Sequence, residues 1–231
     1  MTQGGATPSA RALALDVERL WMCLEADGAA IVPLDVAYAI CAMTTVGVQK
    51  IFAAKQRSYD KPSGMLGDVR LSRELHVMED WKHDLVNALV AEDDIPFSVV
   101  APYRQEHPMF ARVEPFVMSS SSKAGTLDML LNAGVMHDEI AAQAWARQRP
   151  VFGSSANTSL TGSKYRYLDI DAAVRDAADI FFDYGTSRYE NTEGRSSTIV
   201  DFRTFAVVRH GVKYDEVEAA FARRGVTLRM V

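Results

Sequence analysis

Residues 149–159, RPVFGSSANTS, place a short apolar segment directly before a run of hydroxyl and amide side chains. A helix is predicted just before it, at about residues 136–147. The short apolar run after this helix predicts a strand. The Ser, Asn and Thr residues that follow predict a capped turn at the end of that strand. We expect these polar residues at the carboxyl edge of an α/β sheet, where ligands bind in such folds.

Strands and helices alternate on both sides of this stretch. Residues 10–27 are predicted as an amphipathic helix that Gly28 ends, followed by a buried strand at 29–32. Further strands are predicted at 64–66, 97–103, 115–122, 179–185, 196–202 and 205–211, and further helices at 44–54, within 71–91, at 169–178 and at 215–225. Without a long linker or an internal repeat, this pattern predicts one α/β domain with a mixed sheet over residues 10–231, after a frayed N-terminus at residues 1–9.

The composition excludes several classes of protein. The chain has 231 residues, of which 48% are hydrophobic and 24% charged, a balance typical of a globular protein. No apolar run is long enough for a membrane span, and no signal peptide is recognisable, so we expect a cytoplasmic protein without a membrane partner. Two cysteines and five scattered histidines predict neither a disulfide framework nor a protein metal site. A net charge of −5 argues against a general nucleic-acid binder, although it allows a local basic cleft.

The loop at residues 55–63, KQRSYDKPS, brings three cations close together along the chain: Lys55, Arg57 and Lys61. Lysine supplies a mobile point charge and arginine a planar fork that grips two oxygens, so the loop has suitable side chains for a triphosphate. The alternative is a solvated surface loop, which a charge run taken alone favours.

Two further segments place hydroxyl groups at strand ends. One is the cluster that contains Ser155 and Asn157. The other has Ser197 near the start of one predicted strand and Arg209 near the end of the next strand. Hydroxyl and amide groups can bond phosphate or base edges without adding charge. Each segment also fits a purely structural interpretation, in which Ser and Asn cap turns and Arg209 lies on the surface.

Together and in this order, the three segments resemble the YrdC/YciO family of threonylcarbamoyl-adenylate synthases and related carbamoyl-transfer domains. Five motifs of the family have counterparts in this sequence. They are the K-x-R…K-P loop at residues 55–62, the S-A-N-x-S element at 155–159, the S-T-I-V-D strand at 197–201, the terminal R-x-G at 209–211 and the opening V-P-T-D-T-V-Y turn at 32–38. The likeness covers residues 13–212.

The resemblance implies a single domain with a twisted, open mixed sheet, helices packed on it and a concave ligand-binding face. There ATP, bicarbonate and L-threonine would become threonylcarbamoyl-adenylate and pyrophosphate, with Mg²⁺ bound with the ATP, for tRNA modification. It assigns catalysis to Lys55 and Arg57, nucleotide binding to those two with Lys61, Ser155, Asn157, Ser197 and Arg209, and substrate binding to Asp35, Tyr38 and Arg57.

The sequence departs from the family pattern where the amino-acid substrate is expected. Leu34 and Val36 replace two threonines, and no arginine lies between Arg112 and Arg147, where the family usually carries one on a G-x-R-x-P strand. We therefore expect the acceptor to be an amino acid or amine other than threonine. The rival hypothesis is a YciO-like protein that binds nucleotide or double-stranded RNA without turnover, and a purely structural domain is the third.

Overall fold

The fold is built from short strands and helices in alternation, as a computed structural model of residues 8–56, 58 and 61–230 describes them. The helices are α1 (Ala10–Glu25), α2 (Thr45–Ala54), α3 (Val69–Leu75), α4 (Asp80–Ala91), α5 (Pro115–Ser119), α6 (Val135–Arg147), α7 (Ala172–Asp176) and α8 (Tyr214–Arg223). The strands are β1 (Ala30–Val32), β2 (Ala39–Ala42), β3 (Gly64–Leu66), β4 (Phe97–Pro102), β5 (Ser122–Lys123), β6 (Thr126–Leu131), β7 (Val151–Ser155), β8 (Ile180–Phe181), β9 (Thr198–Asp201), β10 (Ala206–Arg209) and β11 (Arg229–Met230).

The strands form one mixed sheet. Its order is β11-β10-β9-β4-β6-β3-β7-β2-β1-β8, and β5 pairs with β6 beside this path. The pairs β3–β6, β4–β9, β1–β8 and β10–β11 are parallel, and the others are antiparallel. Neighbours in the sheet come from distant parts of the chain, so the sheet brings the predicted motifs together. The mixed α/β fold is therefore confirmed.

The two faces of the sheet differ in burial. In β6, Leu127, Met129 and Leu131 are fully buried in the hydrophobic core, whereas Asp128 and Leu130 are half-buried. Successive side chains of a strand point to opposite faces, so the half-buried residues belong to the other face of the sheet. That face borders the cavity described below.

The first helix follows its sequence pattern closely. Ser9 caps α1 by accepting a hydrogen bond from a backbone N–H of the first turn. Val17, Leu20, Trp21 and Leu24 are buried, as the predicted apolar stripe requires. The predicted frayed N-terminus falls, apart from residues 8 and 9, outside the described residues. Among the residues that the structure describes, no helix has both the length and the apolar character needed to cross a bilayer.

Several stretches fold differently from the prediction. Residues 115–122, predicted as a strand, form α5 and the two-residue β5, because Pro115 suits the first turn of a helix, where its missing N–H costs nothing. Residues 126–131 form β6, which the sequence interpretation did not identify. The predicted helix within 71–91 is the pair α3 and α4, and the strand predicted at 179–185 is limited to β8.

Candidate functional site

A cavity of about 150 Å³ lies on the half-buried face of the sheet. Three motif segments meet there, although they are far apart in the sequence: the turn at 34–39, the end of β7 at 153–155, and residues 196–197 together with Arg209. The pairing of β2 with β7 and of β9 with β10 brings them to one place. The hypothesis that these segments share one site therefore agrees with the fold.

Two glycines lie at the floor of the cavity. Gly64 of β3 pairs with Gly153 of β7, and both border the cavity. A Cβ added at Gly64 would lie 3.3 Å from Asp128 Oδ2, and one at Gly153 would lie 3.0 Å from the carbonyl oxygen of Ile40. Both positions are therefore closely bordered, Gly64 by the Asp128 side chain and Gly153 by β2.

Arg209 and Ser197 form the polar end of the cavity. The Arg209 Nε donates to the Ser197 carbonyl oxygen and its Nη2 to Ser197 Oγ, both at 2.8 Å. Ser197 Oγ also lies 3.2 Å from Ser98 Oγ, so the guanidinium and two hydroxyls form one connected group. Burial lowers the pKa of Arg209, and the opposite charge of Asp128 counteracts this effect. Arg209 is exposed as a whole residue, whereas its guanidinium group is surrounded by protein.

The glycine of the R-x-G motif has a packing role. A Cβ at Gly211 would overlap with backbone atoms of Ser196, Ser197 and Thr198. The Gly211 N–H donates to Thr198 Oγ1 at 3.2 Å, and the Val212 N–H donates to the Ser196 carbonyl at 2.8 Å. Only glycine permits this close approach, which keeps Arg209 beside Ser197.

Lys55 is buried, with 1% of its surface exposed. Its Nζ donates to the backbone carbonyls of Ser155 and Asn157, the latter at 2.6 Å. Asn157 Oδ1 accepts a hydrogen bond from Ser155 Oγ, and its Nδ2 donates to the Thr158 carbonyl at 2.6 Å. The ammonium therefore connects the end of α2 to the loop after β7. In this network Lys55 and Asn157 stabilise the S-A-N loop, while Ser155 also lines the cavity.

Of the other two predicted cations of this loop, Arg57 is outside the described residues. Lys61 is exposed, and its backbone N–H donates to the Ser58 carbonyl at 3.1 Å. The next residue, Pro62, is the described residue of this loop that lines the cavity.

Asp35 and Tyr38 were both predicted to bind substrate, but the two side chains lie in different places. Asp35 borders a second cavity of about 560 Å³, where its Oδ2 lies 3.8 Å from Arg188 Nη1, and burial raises the pKa of this carboxyl. Tyr38 borders the first cavity but is fully buried, and its hydroxyl lies 2.6 Å from Asp183 Oδ1 and 2.8 Å from the Gly185 carbonyl oxygen. The Tyr38 hydroxyl therefore holds the loop at 183–185.

Apolar side chains form another part of the cavity lining. Leu34 and Val36, with 3% and 1% of their surface exposed, belong to the turn that leads into β2, and Leu66 and Leu130 lie on β3 and β6, between this turn and β9 in the sheet order. None of these side chains can donate or accept a hydrogen bond. This part of the lining therefore offers a bound molecule apolar contact.

Asp128 is a site residue that sequence reasoning missed. It is the acidic side chain among the described residues that line the cavity. The period-two alternation of residues 126–131, with Leu127, Met129 and Leu131 on one face, was a sequence signal for this strand. It would have placed Asp128 on the opposite face, which borders the cavity.

The described residues contain no group of three or more His, Cys, Asp or Glu side chains that could hold a metal ion. Asp128 is the single carboxylate of the described cavity lining. Mg²⁺ usually binds through one or two carboxylates together with water and substrate phosphates. A magnesium ion in this cavity would therefore depend mainly on nucleotide phosphates for its ligands.

Solved structures with the same fold are similar to this chain. A hypothetical protein from Streptococcus mutans UA159 has a TM-score of 0.74 and 17% identity, with 91% of this chain and 93% of that chain covered. P. abyssi Sua5, solved in complex with L-threonine, has a TM-score of 0.72 and 16% identity, and the match covers 94% of this chain but 59% of Sua5. E. coli YciO has a TM-score of 0.62 and 15% identity, with 90% and 93% covered. These likenesses concern the fold.

Sequence comparison identifies the family. No curated protein matches the chain. The family model Sua5_yciO_yrdC, described as "Telomere recombination", matches residues 22–211, which include all the motif segments that meet at the cavity. The chain therefore belongs to the Sua5/YciO/YrdC family.

Proposed function

We propose that this protein is an ATP-dependent nucleotidyltransferase that forms a carbamoyl-adenylate with an acceptor other than threonine. One observation carries the proposal: the cavity has Ser197 and Arg209 on the side of β9 and β10, and Leu34 and Val36 on the side of β2, next to Ser155 of β7. The three polar residues support binding of a nucleotide. The two apolar residues argue against selection of a hydroxyl-bearing amino acid, because such selection needs specific hydrogen-bond partners.

The proposed reaction has two steps and needs no covalent enzyme nucleophile. The neutral amine of the acceptor attacks the carbon of bicarbonate, and a carbamate forms with loss of water. A carbamate oxygen then attacks the α-phosphorus of ATP, the new P–O bond forms, and pyrophosphate leaves. The protein would contribute by positioning the reactants and by stabilising the phosphate charge.

The roles of the residues follow from their surroundings. Arg209, held by Ser197, would bind a phosphate group, with Arg57 and Lys61 as further cations from the loop at 55–63. Ser155 would contact the nucleotide. Lys55 would act as a positioning residue, because its ammonium already holds the loop that carries Ser155. Mg²⁺ would enter with the ATP and shield the charge of its phosphates.

The product would be a carbamoyl-adenylate for tRNA modification or a related carbamoyl transfer, in the cytoplasm. P. abyssi Sua5, which was solved with L-threonine, supports an amino-acid-sized acceptor by analogy of fold. The replaced side chains at Leu34 and Val36 are the reason to look beyond threonine itself.

Two observations favour the second candidate function, a protein that binds nucleotide or double-stranded RNA without turnover. The cavity of about 150 Å³ is smaller than the roughly 300 Å³ at which small-molecule pockets usually begin. The Lys55 ammonium also already bonds two backbone carbonyls. Under this function ATP or RNA would bind, and no acceptor would give pyrophosphate.

Pyrophosphate release from ATP and bicarbonate, measured across a panel of amino acids and amines, separates the two functions. We expect release with at least one acceptor that is not threonine. Arg57→Ala and Arg209→Gln should each weaken ATP binding by roughly one to two decades, since a charge-assisted contact contributes about 1.5–3 kcal/mol. Arg229→Gln, at the exposed end of β11, is the control and should bind ATP normally. ATP binding without any release would support the second candidate.

A further inference from the structure

Two serine hydroxyls meet beside Arg209 in the lining of the cavity. Ser98 lies on β4 opposite Leu130 of β6, and both residues belong to the sheet face that borders the cavity. Ser197 comes directly before β9, the parallel neighbour of β4. The two Oγ atoms lie 3.2 Å apart, and the two residues are buried, with 3% and 2% of their surface exposed. The sheet therefore brings together two hydroxyls that are 99 positions apart in the sequence.

Arg209 sets the direction of the hydrogen bond between these hydroxyls. Its Nη2 donates to Ser197 Oγ at 2.8 Å, and a guanidinium group can donate but not accept. A hydroxyl that accepts a hydrogen bond from a cation becomes a better donor, because hydrogen bonds in a chain polarise one another. Ser197 therefore donates to Ser98, and the chain of hydrogen bonds runs from Arg209 through Ser197 to Ser98.

The hydroxyl proton of Ser98 is left over at the end of this chain. A serine hydroxyl carries one proton, and the hydrogen bond from Ser197 uses a lone pair of Ser98 Oγ and leaves that proton free. Within residues 8–56, 58 and 61–230, Ser197 Oγ is the hydrogen-bond partner of Ser98 Oγ, and no second one is present. A buried donor without an acceptor is unfavourable, so an acceptor atom on a bound molecule would stabilise it.

Arg209 has unused donors next to this hydroxyl. Its Nε and one N–H of Nη2 bond Ser197, whereas the N–H groups of Nη1 have no hydrogen-bond acceptor among the described residues. The guanidinium and the Ser98 proton are linked through Ser197, so they form one set of donors at one place. Charged oxygens are the strongest acceptors for such donors. The set therefore fits an oxyanion better than an uncharged group.

We propose that Ser98 is a further nucleotide-binding residue, whose hydroxyl donates a hydrogen bond to a phosphate group that Arg209 also contacts. The inference rests on the proposed function and adds a contact at the same site. Ser197 would be the positioning residue between the two, because it accepts from the cation and donates to the Ser98 hydroxyl. A carboxylate of the acceptor has the same oxyanion chemistry, so probes of both kinds are needed to separate the two sources.

Binding calorimetry on the full chain tests the inference with three probes: inorganic triphosphate with Mg²⁺, adenosine, and the dicarboxylate succinate. Ser98→Ala should weaken triphosphate binding roughly tenfold, since hydrogen bonds to charged groups are the stronger ones, and should leave adenosine binding within about twofold. Ser98→Thr, which keeps the hydroxyl, should retain triphosphate binding. The inference is overturned if Ser98→Ala binds triphosphate normally, if it loses succinate binding instead, or if the natural protein binds no triphosphate.

Ser72→Ala is the matched control. Ser72 is also buried, but its hydroxyl lies 3.0 Å from the His76 ring and is not part of the cavity lining. This variant should lower the melting temperature and leave triphosphate binding unchanged. If thermal melting shows that Ser98→Ala does not fold, Ser98→Cys takes its place, because a thiol of similar shape is a weak donor. It should weaken triphosphate binding by at least about threefold, and normal binding would overturn the inference.

A double-mutant cycle tests the chain of hydrogen bonds itself. Ser98→Ala, Ser197→Ala and the double variant are titrated with triphosphate. Because the two hydroxyls act in one chain, the loss of affinity in the double variant should be smaller than the product of the two single losses. Losses that simply multiply would mean that the two serines act independently, which overturns the role given to Ser197.

Pyrophosphate release separates failure of this inference from failure of the proposed function. Triphosphate binding that depends on Ser98, with no release from ATP by any acceptor, would retain the inference and reject the enzymatic function. Release by the natural protein, together with normal triphosphate binding in Ser98→Ala, would reject the inference and retain the enzymatic function.

Discussion

The two sides of the cavity differ in what builds them. On the side of β9 and β10, backbone contacts hold the polar groups: Gly211 packs on residues 196–198, and Arg209 bonds both the carbonyl and the hydroxyl of Ser197. On the side of the turn at 34–38, which leads into β2, side chains line the surface. A surface made by side chains can change its chemistry while the backbone stays the same. Under the proposed function, this difference accounts for a chain that keeps the family's polar motifs and has an altered acceptor side.

The largest expected effect is on the backbone-built side. Gly211→Val should lower the free energy of unfolding by at least about 3 kcal/mol, because the new side chain would meet backbone atoms that cannot move away separately. Urea denaturation measures this change. Val208→Ala, at an exposed position of β10, is the control and should change stability by less than about 0.5 kcal/mol. Normal stability of Gly211→Val would show that this side also tolerates substitution.

Acid should destabilise the strand that carries Asp128. His76 is fully buried, its Nδ1 lies 3.0 Å from Ser72 Oγ, and its Nε2 lies 3.2 Å from the Leu127 carbonyl of β6. Burial lowers the pKa of His76 to about 4, from 6.5. The neutral ring therefore stabilises the fold fully above pH 6.5, and this stabilisation is lost as the pH falls from 6.5 to 4. The loss should reach about 3 kcal/mol.

The measurement is the free energy of unfolding between about pH 7.5 and 4 for the natural protein and for His76→Gln. The variant should show a flatter dependence over the window from 6.5 to 4, because glutamine does not titrate. Carboxylates contribute to the pH dependence of stability in both proteins, so the difference between the two curves gives the contribution of His76. Parallel curves would mean that protonation of His76 is not coupled to folding.

Lys55→Met should have the next largest effect. It removes the ammonium from the carbonyls of Ser155 and Asn157, leaving buried acceptors without this donor, and should cost about 2 kcal/mol. Lys61→Met, at an exposed position in the same loop, should cost less than about 0.5 kcal/mol. Urea denaturation and ATP titration are measured together. Weakened ATP binding with unchanged stability would assign Lys55 directly to the nucleotide and not to the loop.

The smallest expected effect is on the side-chain-built side. Leu34→Thr combined with Val36→Thr should strengthen threonine binding by roughly fivefold, since one added hydrogen bond contributes about 1 kcal/mol. Threonine-dependent pyrophosphate release is compared between the double variant and the natural protein. Leu34→Val with Val36→Ala, which adds no hydroxyl, is the control. Robust threonine turnover by the natural protein would contradict the altered-acceptor hypothesis.

Much of the fold was accessible from the sequence because it depends on local patterns. The apolar stripe of α1, the helix at 135–147 and the strand at 151–155 follow from residue spacing and turn chemistry. The motif residues near 155, 197 and 209 were predicted to share one site through the family resemblance, before any strand order was known. Short motifs of this kind carry their family signal in residue type and order.

The tertiary structure alone decided how those residues are used. The three cations at 55–61 were predicted as one phosphate-binding set, yet Lys55 is buried against two carbonyls and Lys61 is exposed. Asp128 had no motif to mark it, and its position over Gly64 depends on pairing between β6 and β3, strands that lie far apart along the chain. Burial and charge environment arise from such non-local pairing, which residue spacing within one segment does not encode.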